Sequence, residues 1–145
     1  MIEFIKNVIK SQEMCVLATS ADKLPHTSLM AYVADIEVQN VYMITHRNTQ
    51  KFKNLEINPF VSLLVDTRSA EVSGKRENIV ALTVSGKYSQ VNNDDTIVEI
   101  KETFCNRHKH LQRFVNNDDA VVFKVEIKSF QLLKGAMDSY YLQLA

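Results

Sequence analysis

The sequence predicts a mainly β fold, a six-stranded antiparallel split β-barrel with short helices laid against it. Three observations lead there. Stretches that are apolar or alternate in polarity outnumber helical ones. The helical patterns are short, and turn-forming residues separate the strand-like stretches. Antiparallel strands with so little helix to cover them do best as a closed or split barrel, which leaves few exposed edges.

Taken in order, Ile2, Ile5, Val8 and Ile9 recur at helical spacing, so residues 2–12 read as an amphipathic helix across an open end of the barrel. Residues 14–19 are the first strand, in which Cys15 is a buried free thiol. Residues 21–25 turn the chain, and Pro25 can start a strand but not sit centrally in a ladder. Residues 26–36 read as one long strand, 37–40 as a hairpin turn and 41–44 as the third strand. Phe52 and Leu55 mark a short helix, with Lys51, Lys53, Asn54 and Glu56 mostly on its other side. Asn58-Pro59 stops that helix, because a residue before proline is pushed out of the helical region. Residues 60–65 form the fourth strand, and the polar run 67–78 is a solvated loop. Residues 79–91 are the fifth strand, where Gly86 marks a bulge or a close backbone approach. Residues 92–95 cap a helix from about Thr96, with Ile97, Ile100 and Phe104 on its apolar face. Leu111, Phe114 and Val115 suggest one more helical turn. Val121, Phe123, Val125 and Ile127 alternate along the last strand, 120–134, which Gly135 ends before an apolar-rich tail.

The chain has 145 residues and 46% hydrophobic content, which suits a single domain over residues 1–145. Basic and acidic residues balance at 17 each, which removes the electrostatic case for nucleic acid as the main partner. No apolar run approaches the ~20 residues of a membrane span. The N-terminus lacks a cleavage signal, so a cytoplasmic protein with two free thiols is expected.

Few constellations carry chemistry. Cys105, His108 and His110 form C-x2-H-x-H, but residues two apart on a helix face different sides, so no metal site is expected there. The expected reading is an exposed, basic helix end. There is no nucleophile elbow, Walker loop or dinucleotide fingerprint. The turn at residues 45–48 differs. It leads into a helix whose first amides are free and whose dipole is positive there, with Thr49, Gln50, Lys51 and nearby Arg47 around them. Such a start can hold a phosphate. It can equally be a helix capped by Asn48 or Thr49 with solvated cations.

The order strand, polar turn, short helix, Asn-Pro, strand over residues 42–65 resembles the flavin-binding segment of the pyridoxamine 5′-phosphate oxidase-like superfamily. The matching residues are Ile44-Thr45, Thr49-Gln50-Lys51, Leu55 and Asn58-Pro59. The resemblance implies an FMN-binding split barrel, with the flavin at the interface of a homodimer. It implies an FMN-dependent oxidoreductase acting on a small-molecule substrate. Alternatives on the same fold are a non-catalytic flavin carrier, or a binding module for haem or a deazaflavin. By position, Ser28, Leu29, Met30 and Ala31, followed by Tyr32 and Val33, would run along the flavin. Ile44 and Thr45 would meet the ring or ribityl chain, and Thr49, Gln50 and Lys51 would take the phosphate. The true oxidases resembled here carry Arg where Ser28 stands, Lys where Val33 stands and Arg where Gln50 stands, and they have a carboxy-terminal Trp that this chain lacks. The resemblance is therefore to the shorter FMN-binding relatives, and vitamin B6 oxidation is not expected. The tail residues Tyr140, Tyr141 and Leu142 would suit the partner surface.

Overall fold

Alternate side chains of a strand point to opposite faces, so a strand buried on one side needs an apolar residue at every second position. That pattern organises the computed structural model, which describes residues 1–70 and 75–144. Helix α1 (Ile2–Ser11) leads into strands β1 (Met14–Ala21), β2 (Leu24–Ala31), β3 (Val33–Ala34) and β4 (Asn40–His46). Helix α2 (Gln50–Ile57) and strands β5 (Phe60–Asp66) and β6 (Val80–Gln90) follow. Then come α3 (Asp94–Arg107), α4 (Gln112–Val115), β7 (Ala120–Lys134) and β8 (Asp138–Gln143).

The strands form one antiparallel sheet in the order β2-β1-β5-β6-β7-β4-β3, with β8 paired to β7 beyond β4. The sheet curls into a split barrel. Leu17, Met43, Leu63, Leu82, Val84, Phe123 and Leu132 fill its interior. Ile5, Val8 and Ile9 of α1 close one end, and Leu55 of α2 joins the same core. A second apolar cluster lies outside the barrel, where Ile100 and Phe104 of α3 cover Val33, Ile44 and Val122.

Several expectations need correction. The long strand over 26–36 is broken at Tyr32, giving β2 and β3 at opposite ends of the strand order. The tail is a strand, β8, turned back on β7 through Gly135 at φ +62. The expected antiparallel split barrel stands, but among the described residues its sheet has eight strand segments rather than six. The polar run 67–78 contains 3-10 turns at Arg68–Ala70 and Arg76–Asn78, and its residues 71–74 lie outside the described residues. The turn after β1 is a two-residue hairpin with positive φ at both Asp22 and Lys23, the geometry that matches strand twist. Gly86 does sit at a bulge, where the β6–β7 register shifts.

One buried polar atom stands out. The Tyr88 hydroxyl has no hydrogen-bond partner among the described residues. Burial, with the Glu56 carboxylate second, pushes its pKa up to about 12, so it stays a neutral, unsatisfied donor. Removing an unmatched buried hydroxyl relieves a desolvation cost. Tyr88→Phe is therefore expected to leave stability unchanged or raise it by up to ~1 kcal/mol. A fall of the unfolding midpoint in denaturant would contradict this.

Candidate functional site

The site is built from the free edge of β2 and the start of α2. Among the described residues β2 pairs with β1 alone, and the chain closes the barrel by running through Tyr32 into β3, which pairs with β4. The barrel is thus split alongside β2. A two-residue hairpin makes Ala21 and Leu24 a hydrogen-bonded pair, and such pairs alternate along the ladder. Leu24, His26, Ser28 and Met30 then bond to β1. The N–H and C=O groups of Thr27, Leu29 and Ala31, and the C=O of Pro25, point toward the split. Pro25 has no N–H to leave unpaired at this edge.

The start of α2 is tightly specified. Thr49 is the N-cap: its hydroxyl accepts from the Phe52 N–H at 3.2 Å and donates to the His46 carbonyl at 2.9 Å. The hydroxyl of Thr45, fully buried, lies 3.3 Å from that of Thr49. Gln50 donates its amide to Asn54 at 2.9 Å, and Asn54 donates to Thr19 at 3.1 Å, tying the helix to β1. Asn58 adds a bond to Ser20 at 3.1 Å. The capping reading therefore holds for Thr49, and the Gln50 amide is engaged within the helix. Lys51 is different. It is half-buried, it has no ion-pair or hydrogen-bond partner among the described residues, and burial lowers its pKa. The amides of Gln50 and Lys51, in the first turn, precede the first capped N–H. Among the described residues, a cation without a counter-charge and two amides without a partner thus share the first turn at the positive end of a helix, a setting for an anion.

Not every residue proposed from sequence comes to this place. Thr45 meets Thr49, but the Ile44 side chain lies under α3 in the outer cluster. Met30 points into the barrel core, whereas Leu29 is 70% exposed on the outside. His108, expected to be exposed, is 1% exposed and bonded by its ring to the Tyr32 carbonyl at 3.1 Å. His110 is exposed, as expected of a basic helix end. Cys15 is buried and free, its pKa pushed up to about 12 by burial. Among the described residues no group of His, Cys, Asp or Glu is placed to hold a metal, and no helix is long and apolar enough to cross a membrane.

The strand pairing defines an uncharged outer tract that the sequence alone could not lay out. The outward residues of six strands line up across the sheet. One row is Leu29, Val16, Leu64, Thr83, Gln131 and Tyr141; the next is Thr27, Ala18, Ser62, Ser85, Ser129 and Gln143. Neither row carries a charge. Six strands at ~4.8 Å spacing make the tract roughly 24 Å wide. Lys87, over the Phe60 ring, and the Asp66–Arg68 pair at 3.0 Å stand at its margins. A hollow of about 700 Å³ borders this tract and is lined by Met14, Val16, Leu29, Leu64, Glu13 and Arg68 among others. The signal was available in the Ser, Ala and Thr residues at alternate strand positions, but the strand pairing was needed to align them.

A curled antiparallel half-barrel sheet with short helices laid against it defines the class of split-barrel proteins. The sequence model of a family described as Pyridoxamine 5′-phosphate oxidase matches residues 1–134, and the chain belongs to that family. It is 26% identical over 156 aligned positions to a Schizosaccharomyces pombe protein named as a Pyridoxamine 5′-phosphate oxidase C1952.08c homolog, covering 88% of this chain and 82% of the relative. Its fold resembles HutZ, the haem storage protein of Vibrio cholerae, with a TM-score of 0.74 at 19% identity over 91% and 92% of the two chains. It also resembles an FAD-binding protein of Mesorhizobium loti, with a TM-score of 0.73 at 18% identity over 91% and 93%.

Proposed function

We propose that the protein binds FMN in the split beside β2 and works as an FMN-dependent oxidoreductase on a small-molecule substrate. The observation that carries this is Lys51: half-buried, without a counter-charge among the described residues, and in the first turn of α2 beside its uncapped amides. In this reading Lys51 and the amides of Gln50 and Lys51 hold the phosphate. Thr49 and Thr45 keep the helix start in place, and the free backbone edge at Thr27, Leu29 and Ala31 meets the polar rim of the ring. Bound flavin supplies the electron or hydride transfer, and the protein contributes binding, orientation and exclusion of water. The visible spectrum of the purified protein, before and after adding FMN, tests the reading. The two visible bands of an oxidised flavin, held through gel filtration, support it. A single intense Soret band after haem addition, with no uptake of flavin, supports the haem alternative instead. Turnover of NADH or NADPH separates an enzyme from a carrier.

Oxidation of pyridoxine or pyridoxamine 5′-phosphate is not part of this proposal. Val33 is buried under α3 and cannot help hold a second phosphate, and the Gln50 amide is bonded to Asn54. The FMN-loaded protein is expected to form pyridoxal phosphate far below the ~1 per second of ordinary enzymes. Formation at that rate or faster would show that another cation takes the substrate phosphate.

The uncharged outer tract suits a second copy of the chain. Interface cores are depleted in charge and contain aromatic residues, and Tyr141 lies in the row with Leu29, Val16 and Leu64. A homodimer through this face would border the split with a second subunit. Ala18→Glu places a charge in the middle of the tract, and light scattering is expected to show a dimer for the unaltered protein and a monomer for the variant. A variant that stays dimeric would move the interface elsewhere.

A further inference from the structure

Tyr32 is the one residue between the two ends of the open sheet. The last pair of β2 is Ala31 with Met14, and the first pair of β3 is Val33 with Tyr42. The chain therefore steps from one side of the split to the other at Tyr32. It is gripped there from three directions. Its phenol donates to the Ile9 carbonyl, its N–H donates to the Glu13 carbonyl at 3.3 Å, and its carbonyl lies 3.1 Å from Nε2 of His108. A carbonyl only accepts, so Nε2 carries the proton. Tyr32 and His108 are each 1% exposed, so the bond between them is shielded from bulk water. The neighbouring Arg107 donates from Nη2 to the carbonyls of Lys10 at 2.8 Å and Gln12 at 3.0 Å. The end of α3 thus holds both the bend after β2 and the link that leads into β1.

We propose that His108 is a positioning residue: through the Tyr32 carbonyl it fixes where the free edge of β2 ends, and so sets the width of the split. The consequence for FMN rests on the flavin reading above; the consequence for β2 does not. The phenol and N–H bonds anchor the ring and the amide of Tyr32; among the described residues His108 is the partner that holds its carbonyl. α2 bonds to β1 near the opposite end, through Thr19 and Ser20. Without the His108 donor, the buried Tyr32 carbonyl must find another partner, and the bend is the part of the chain free to shift.

Two polar substitutions separate position from polarity. In His108→Gln the side-chain amide nitrogen stands where Nε2 stood. In His108→Asn it stands where Nδ1 stood and cannot reach Tyr32. The Gln variant is expected to bind FMN within about twofold of the unaltered protein, and the Asn variant roughly tenfold more weakly. Hydrogen exchange is the second readout. The amides of Ser28 and Met30, which bond to β1, are expected to exchange roughly tenfold faster in the Asn variant. Those of Val84 in β6 should keep their rates. Val115→Ala, which opens a hole in the cluster under α3 without touching Tyr32, controls for general loosening. Equal behaviour of Gln and Asn, or the same selective β2 exchange in the Val115 variant, overturns the proposal. If the unaltered protein takes up no FMN, the flavin reading fails while the exchange data still judge His108. Should the Asn variant not fold, nitrogen NMR of the unaltered protein decides. A neutral ring protonated at Nε2 with a protected proton supports the role of His108, and a ring protonated at Nδ1 overturns it.

Discussion

Lys51→Ala is expected to weaken FMN binding roughly ten- to hundred-fold and to leave riboflavin binding nearly unchanged. A hydrogen bond to a charged group contributes about 1.5–3 kcal/mol, which converts to that range. The ligands differ only in the phosphate, so the contrast isolates the group that Lys51 would meet. The Lys51 side chain has no partner among the described residues whose loss could disturb the fold. Its backbone also stays helical with alanine. Equal weakening for both ligands would place the phosphate elsewhere. The pH dependence gives a second check. Burial lowers the Lys51 pKa, so the folded chain binds fewer protons here than the unfolded one, and this group's contribution to stability rises with pH through that window. A bound phosphate would push the pKa back up, and FMN binding would then take up a proton. FMN affinity should fall as pH rises through the interval between the two values, riboflavin affinity should stay flat, and Lys51→Ala should remove the difference. Isothermal titration at several pH values reads all three.

Gly86→Ala is expected to be among the most damaging small substitutions in the chain, at about 1–3 kcal/mol and toward the upper end of what overpacking costs. A Cβ at Gly86 would lie 2.5 Å from Val125 Cγ1 and 2.6 Å from the Glu126 carbonyl oxygen. Neither neighbour can yield easily. Val125 is fully buried, and Glu126 is held in β7 between β4 and β6. The bulge is what brings the two backbones so close, so the clash is with the ladder itself. Gly135→Ala makes a useful comparison. There the contacts are looser, 3.2 Å at the closest, and the cost of about 1 kcal/mol comes from φ +62. Denaturant unfolding should rank Gly86→Ala below Gly135→Ala, and the reverse order would mean the bulge can open.

Much of this was legible in the sequence because local signals and tertiary needs agreed. Asn58-Pro59 ended α2 where expected, Thr49 capped it, and Gly86 marked the bulge. The apolar alternation of β7 was clear because one face of its central part is buried throughout. What failed did so for physical reasons. Met30 to Ile36 reads as continuous strand, since nothing local breaks it. The bend at Tyr32 is imposed by Ile9, Glu13 and His108, which are distant in sequence. β8 is an exposed edge strand, so no period of burial marks it. Ile44 and Thr45 are both buried, one on each face of β4, so burial could not separate them. Strand alternation could have, since adjacent residues cannot turn their side chains into one site. His108 looked solvated because Lys109 and His110 beside it are exposed.

β7 pairs with β4, β6 and β8, and it is made after β1 to β6. This has a consequence for how the protein is born. While the ribosome works, β1, β2, β5 and β6 can assemble as a four-stranded sheet. β4 cannot join it: its only long partner is β7, and Met43 waits for Phe123. Until then the inner faces of β4 and β6 stay uncovered. Such non-local pairing folds slowly and exposes apolar surface to other chains meanwhile. A nascent chain halted before β7 should thus be a substrate for chaperones, and its outer sheet face could find a second copy before the barrel has closed.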